Sequence, residues 1–341
     1  MRTLVISDLH LGARVRNGVL TSREPLERLL AALDDVDRLV LLGDVVELLE
    51  GRTAHAMAVA QPVLQAIGAR LGSGREAILV PGNHDRRLVA SWVRAQGSRL
   101  TPDAVVPADA TPGLARVTSW LAPARVSVHY PGVWLSDRVW ATHGHYLDRH
   151  LLPTSAFGIA RGLLGRLPRE EALPVDYEQA GGPSVTRVEA WLTRWLPRPL
   201  ATGVEDLAEL LRAATMPRVP KSLLHRRMAP LLAAVLGMQM RRASIPALAR
   251  VVYSLGVDAD WVVFGHVHRL GPLDGDVDAQ WRGLSGRPRI ANTGSWVYEP
   301  LLLHRAGPDH PYWPGGAVLL EDGRDPRAVA LLGDLTPSEL H

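Results

Sequence analysis

The chain has 341 residues, of which 47% are apolar and 21% charged, and its formal net charge is +3. No segment reaches the roughly 20 consecutive apolar residues that a membrane-spanning helix needs. There is no cysteine, which excludes disulfides, thiolate metal sites and cysteine nucleophiles. Because the segment from Met1 to Ile6 carries no basic leader or apolar signal region, we expect a cytoplasmic protein.

Three apolar strands alternate with helical segments near the start of the chain. They are predicted at Thr3 to Ser7, Arg38 to Leu42 and Ile78 to Val80. Each strand leads into a polar motif, namely Asp8-Leu9-His10, Gly43-Asp44 and Gly82-Asn83-His84-Asp85. In an open α/β sheet, ligand sites lie beyond the carboxyl ends of the parallel strands. We therefore expect these polar side chains to share one site.

The motif from Gly82 to Asp85, considered alone, has two interpretations. It places an amide, an imidazole and a carboxylate on one turn, which suits a chemical site. It also suits the cap of a helix beginning at Arg86, with Asn83 or Asp85 as the capping residue. The recurrence of similar motifs after other strands favours the chemical site.

Further strands are predicted in the second part of the chain, at Arg125 to His129, Val133 to Ala141 and Trp261 to Phe264. The first two should be antiparallel. The second leads into His143-Gly144-His145, and the third, after a long insertion, into Gly265-His266-Val267-His268. Side chains two residues apart on an extended backbone point the same way, so Asp8 and His10 can reach a common site, and so can His266 and His268. The final strands are expected at Arg289 to Ala291, Ala317 to Leu320 and Ala328 to Leu332.

These five motifs, in this order, resemble the signature of the calcineurin-like metallophosphoesterase superfamily. The resemblance covers Met1 to Ala141 and Trp261 to about Leu332. It implies an α/β fold in which two mixed β-sheets form a sandwich flanked by helices. Residues 1–145 and 261–341 would form this core, and residues 146–260 a mainly helical cap.

The resemblance also implies a centre of two divalent metal ions, with manganese favoured and iron or zinc as alternatives. One metal would be held by Asp8, His10 and His268. The other would be held by Asn83, His143 and His266. Asp44 would bridge the two, because a carboxylate between paired cations suits the activation of a shared water.

Two neighbouring residues would carry the proton chemistry. His84 would act as a general acid or stabilise charge on the leaving oxygen. Asp85 would orient the ring of His84. His145 would either hold a metal ligand or touch the substrate.

The insertion contains an acid-free stretch from Leu210 to Val257, with seven arginines and Lys221. One interpretation is a helical cap whose basic side faces water. The other is a lid that supplies phosphate-binding arginines, or a surface that contacts a membrane.

The expected activity is hydrolysis of a phosphomonoester or phosphodiester by a metal-bound hydroxide, on a small-molecule or lipid-linked phosphorylated substrate. UDP-2,3-diacylglucosamine pyrophosphatases share a helical lid and a Gly-Asp-x-x-Glu motif, as in Gly43 to Glu47, but typically carry arginine at the position of His84. Repair nucleases share the opening motif, but usually place a nucleic-acid-binding domain after the last motif, and only 73 residues follow His268. A non-catalytic scaffold is disfavoured because no expected ligand is missing.

Overall fold

The strands and helices alternate as the sequence predicts, in a computed structural model that describes residues 1–13, 17–150, 171–179, 244–283, 285–299, 303 and 306–340. The strands are β1 (Arg2–Ile6), β2 (Asn17–Gly18), β3 (Arg38–Leu41), β4 (Glu76–Leu79), β5 (Asp103–Val106), β6 (Arg125–Trp134), β7 (Val139–Thr142), β8 (Trp261–Phe264), β9 (Leu270–Gly271), β10 (Arg289–Thr293), β11 (Val297–Tyr298), β12 (Gly316–Glu321) and β13 (Arg327–Ala330). The α-helices are α1 (Arg23–Ala32), α2 (Thr53–Leu71), α3 (Ala90–Gln96), α4 (Pro112–Trp120), α5 (Pro174–Gln179) and α6 (Ile245–Ser254).

Within the described residues, eleven strands form one continuous sheet in the order β13-β12-β1-β3-β4-β6-β7-β8-β10-β9, with β5 paired to β6. Strand β6 connects two halves of this sheet. Its beginning pairs in parallel with β4, with Arg125 opposite Glu76. Its end pairs antiparallel with β7, with Gly132 opposite Thr142. The first half therefore runs from β13 to β4 and includes β5, and the second half runs from β7 to β9.

The two halves pack face to face. One buried cluster contains Val5, Val40 and Ile78 from the first half together with Val139 and Val263 from the second. Both halves mix parallel and antiparallel pairs. The predicted sandwich of two mixed sheets is thereby confirmed, with β6 as the strand that the halves share.

Helices cover the outer faces of both halves. Residues of α1, α2 and α4 share a buried cluster with the outward side chains of β1, β3 and β4. On the second half, Leu248 and Val252 of α6 share a cluster with Phe264 and Ile290. The helix at the end of the predicted insertion thus supplies the fourth layer of the sandwich.

The prediction of a strand from Val133 to Ala141 was wrong, because β6 continues through Pro131 to Trp134 and a turn precedes β7. A proline inside a strand normally removes a ladder hydrogen bond. In β6 the pairing with β4 ends at Val128, and the pairing with β7 begins at Gly132. On this edge Pro131 lies between the two partners, and on the other edge it is at the end of the pairing with β5, opposite Asp103.

Among the described residues, no helix is both long enough and apolar enough to cross a membrane. The described parts of the predicted insertion are 146–150, 171–179 and 244–260. The greater part of the acid-free stretch, 210–243, lies outside the described residues.

Candidate active site

The predicted polar motifs directly follow β1, β3, β4, β7 and β8. Strands β1, β3 and β4 are parallel neighbours in one half, and β7 and β8 are parallel neighbours in the other. The carboxyl ends of both sets meet at one edge of the sandwich. The structure brings together there all the residues predicted from the motifs, namely Asp8, His10, Asp44, Asn83, His84, Asp85, His143, His266 and His268.

Asp8, His10 and His268 form a first group whose ligand atoms lie within 4.8 Å of one another. The Oδ1 atom of Asp8 lies 3.3 Å from Nε2 of His268 and 3.9 Å from Nε2 of His10. This oxygen is buried and accepts no hydrogen bond from the residues that the structure describes. The other carboxylate oxygen of Asp8 accepts the backbone N–H of His266 at 2.9 Å. A buried carboxylate oxygen without a donor suits a bound cation.

A second group, whose ligand atoms also lie within 4.8 Å of one another, consists of Asp44, His143 and His266. Nε2 of His143 lies 3.1 Å from Oδ2 of Asp44 and 3.1 Å from Oδ1 of Asn83. The Nδ1 atom of His143 lies 2.9 Å from the carbonyl oxygen of Leu42. Because a carbonyl only accepts, Nδ1 carries a proton, so in the neutral ring the lone pair of Nε2 faces the two oxygens. Three acceptors then converge on one point, which is the arrangement of a cation site.

Electrostatics supports a cation at this second group. Burial by itself lowers the pKa of His143, but the carboxylates of Asp44 and Asp8 raise it to about 10. Burial likewise opposes ionisation of Asp44, yet His143, His84 and His10 hold its pKa well below the usual value. Asp44 is therefore ionised, and the negative field around His143 favours positive charge.

Asp44 lies between the two groups. Its Oδ2 atom is 3.9 Å from Nε2 of His10 and 3.1 Å from Nε2 of His143. Its Oδ1 atom accepts the backbone N–H of His84 at 2.8 Å, which fixes the orientation of the carboxylate.

Glu47 is a further site residue, and in the sequence it stands out only as the last residue of the motif from Gly43 to Glu47. Its Oε2 atom lies 3.0 Å from Nδ1 of His10 and 2.7 Å from Nδ1 of His84. Burial opposes ionisation of Glu47, but His84 and His10 lower its pKa, so the carboxylate is charged. As an acceptor it holds the proton of each ring on Nδ1, which leaves both Nε2 atoms directed to the site. Its spacing of three residues from Asp44 was the available signal.

Asp85 does not have the contacts that the predicted role requires, because its carboxylate binds backbone groups. Its Oδ1 atom accepts the N–H of Gly82 at 2.6 Å, and its Oδ2 atom accepts the N–H of Val45 at 2.8 Å. Burial and the nearby Asp44 raise its pKa to about 6. Asp85 thus joins the loops after β3 and β4, and Glu47 is the carboxylate that binds the ring of His84.

The backbone is strained at the candidate ligands. In the described part of the chain, the residues other than glycine with positive φ are Asp8, His10, Asp44, His266 and His268. Their φ angles run from 43° to 69°. This left-handed conformation is unfavourable for such residues, costs about 1–3 kcal/mol each and concentrates at functional sites. All five are residues that the motifs predicted as ligands.

Gly43 allows β3 to approach His143 closely. Its φ is +88°, and an added Cβ would lie 2.4 Å from Cγ and Nδ1 of that ring.

We expect Gly43→Ala to lower the free energy of unfolding by about 1–3 kcal/mol more than Gly72→Ala, and to weaken Mn²⁺ binding. Gly72 is a matched control, since its φ is +66° and its added Cβ would meet nothing within 4 Å. Urea unfolding and calorimetry of both variants would measure this, and equal losses would contradict it.

A buried polar network joins the site to α5, which the sequence did not reveal. Oε2 of Glu178, in α5, accepts hydrogen bonds from two nitrogens of Arg86, from Nε at 2.7 Å and from Nη2. Its Oε1 atom accepts the hydroxyls of Tyr130 and, at 2.7 Å, of Tyr146. Burial and the charge of Glu178 raise the pKa of both tyrosines. His145 completes the network, with Nε2 3.2 Å from the Tyr130 oxygen.

His266 has a carboxylate partner in the segment after β7. Its Nε2 atom lies 3.0 Å from Oδ1 of Asp148. This contact directs Nδ1 of His266 away from Asp148, as in the carboxylate and histidine pairs of many metal centres.

The comparison with protein-family models agrees with this geometry. A family model described as calcineurin-like phosphoesterase matches residues 1–169. No curated protein matches the chain. The chain is similar to the crystal structure of a dimetal phosphatase from Danio rerio, with 14% sequence identity, a TM-score of 0.37 and coverage of 97% of this chain and 99% of that one. The family implies two divalent metals, and the groups around Asp8 and Asp44 fit them. Residues 1–169 therefore match the calcineurin-like phosphoesterase family, and the chain is a metal-dependent phosphoester hydrolase.

Proposed function

We propose that the chain hydrolyses a phosphomonoester or phosphodiester of a small molecule at a centre of two divalent cations. Asp8, His10 and His268 would hold one cation, and Asn83, His143 and His266 the other. The observation that carries this proposal is the position of Asp44, whose Oδ2 atom faces Nε2 of both His10 and His143. One carboxylate oxygen can serve both cations only from such a position.

Two cations bound there would supply Lewis acidity toward the phosphoryl oxygens and would lower the pKa of a water between them. The ligand set mixes hard carboxylate and amide oxygens with imidazole nitrogens, which suits manganese, iron or zinc. We favour manganese. The surrounding fold holds five of the proposed ligands in a strained backbone conformation.

His84 would supply the proton to the leaving group. Its Nδ1 atom is bound by the charged Glu47, so Nε2 is the nitrogen that can donate. Its side chain retains 11% exposure, whereas that of His10, bound to the same carboxylate, has none. The ring of His84 is therefore the one that can reach a substrate. Protonating the leaving oxygen contributes typically 10²- to 10⁴-fold in such reactions.

The substrate class follows from how much negative charge of a bound phosphate the site can neutralise. Two cations attract the anionic phosphoryl group, and Arg86 lies two residues after His84 in the same loop. The charge of Arg86 is already matched by Glu178. Arg86 is therefore better suited to orient α5 than to bind a second phosphate. This arrangement favours a substrate with a single phosphoester over a pyrophosphate. It does not bear on the membrane contact proposed for 210–257.

The test is hydrolysis of p-nitrophenyl phosphate and its bis ester by the purified chain with Mn²⁺, before and after chelation. We expect chelation to abolish turnover and Mn²⁺ to restore it. Oligonucleotides and a UDP-linked diacyl sugar should be poorer substrates. A preference for either would identify the nuclease or the lipid pyrophosphatase alternative, and absence of turnover on every ester by the metal-loaded chain would overturn the proposal.

A further inference from the structure

Glu178 is a charged acceptor at the centre of the network beside the site. It pairs with Arg86 through two guanidinium nitrogens, which is the geometry of an ionised carboxylate. An ionised carboxylate has no proton to give. The hydroxyls of Tyr130 and Tyr146 must therefore donate to it.

The direction of these bonds determines the proton on His145. A tyrosine hydroxyl has one proton, and Tyr130 gives its proton to Glu178. Its oxygen can then only accept in its contact with Nε2 of His145, at 3.2 Å. The imidazole proton of His145 therefore lies on Nε2, and Nδ1 keeps a lone pair.

The ring that carries this lone pair lies beside the metal centre. The two nitrogens of an imidazole point in widely different directions, so Nδ1 projects away from Tyr130. The ring of His145 lies 5.6 Å from the ring of His143, between centroids. Nδ1 is buried, and it finds no hydrogen-bond partner among the residues that the structure describes.

We propose that Glu178 and Tyr130 are positioning residues that hold His145 with its proton on Nε2, so that Nδ1 keeps a lone pair in the ring beside His143 of the second metal group. The inference rests on the proposed function, which places a cation at that group. A proton on Nδ1 would instead place the positive end of an N–H dipole on the ring that neighbours His143. Glu178 belongs to α5, so a segment of the insertion sets the polarity of a residue in the core motif His143-Gly144-His145.

The network provides a matched pair of variants. Tyr130→Phe removes the acceptor for Nε2 of His145, whereas Tyr146→Phe removes the other hydroxyl on the same Glu178 oxygen and leaves the Tyr130 contact with His145 intact. Nitrogen-15 NMR of the Zn²⁺-loaded protein distinguishes the protonated from the unprotonated ring nitrogen. Calorimetric titration with Mn²⁺ alone reports affinity without any substrate.

We expect the wild type and Tyr146→Phe to show His145 with a protonated Nε2, and Tyr130→Phe to show a mixture of both tautomers. Of the two Mn²⁺ ions, the more weakly bound one should bind to Tyr130→Phe about 10-fold less tightly than to the wild type, within the range for residues that orient metal ligands. Tyr146→Phe should stay within about twofold of the wild type. In a His145→Ala background, Tyr130→Phe should cause no further loss, because the effect acts through His145.

A wild-type His145 protonated on Nδ1 would overturn the proposal, as would equal Mn²⁺ affinities for the two tyrosine variants. Neither the NMR measurement nor the Mn²⁺ titration requires the chain to hydrolyse a substrate. A chain that shows the tautomer and the affinity difference, yet cleaves no phosphoester, would leave the positioning role standing and refute the proposed function.

Discussion

Asp44→Asn is expected to reduce turnover by about 10³-fold or more and to abolish paired metal occupancy. Because Oδ1 of Asp44 accepts the N–H of His84, an asparagine would place its oxygen there. Its NH₂ group would then replace Oδ2, which now faces His10 and His143. The NH₂ group would point its protons at the position of the two cations, and the negative charge and lone pairs of Oδ2 that would bind both cations would be lost. The loss corresponds to about 4 kcal/mol of transition-state stabilisation.

The measurement is elemental analysis of the purified variant alongside turnover of a chromogenic ester with saturating Mn²⁺. Asp109→Asn is a suitable control, since it removes an exposed carboxylate. If Asp44→Asn retained two metals per chain and normal turnover, Asp44 would not be the bridge.

His84→Asn should leave the metals in place while turnover falls about 10²- to 10⁴-fold, the usual range for an acid–base group. The side chain of His84 is held by Glu47, and it belongs to neither of the proposed ligand sets. The loss should be smaller for esters with acidic leaving groups, which depart without a proton. A series of substituted phenyl esters would measure this dependence.

The control is His129→Asn, a histidine of β6 whose Nδ1 lies near the backbone oxygen of Asp103. It should change neither metal content nor turnover. An equal loss for every leaving group in His84→Asn would show that the ring stabilises charge and transfers no proton. Loss of a metal in that variant would instead make His84 a ligand.

Local sequence patterns were sufficient to predict the strand ends and the polar residues at them. An apolar run that stops at Gly43-Asp44 or Gly265-His266 carries its own signal, because the strand, the turn and the side chains are adjacent in sequence. The sandwich followed from the resemblance. The structure confirms the sandwich, in which β1, β3, β4, β7 and β8 all end at the same edge.

Contacts between distant segments could not be predicted in this way. Glu178 is 48 residues from Tyr130 in sequence, and α5 is only a six-residue helix without a motif. Asp85 was assigned to the ring of its neighbour because the two are adjacent. In the folded loop its side chain turns toward Val45, and Glu47 contacts the ring. Adjacency in sequence does not determine the direction of a side chain in a tight turn.

The single strand shared by the two halves of the sheet has a mechanical consequence. Asp8, His10, Asp44 and Asn83 come from the first half, whereas His143, His266 and His268 come from the second. Each proposed cation would therefore bind side chains from both halves. Sliding of one half against the other would stretch metal–ligand bonds before it broke apolar contacts in the interior. Cation loading should then act as a noncovalent cross-link between the halves, opposite the covalent link that β6 provides.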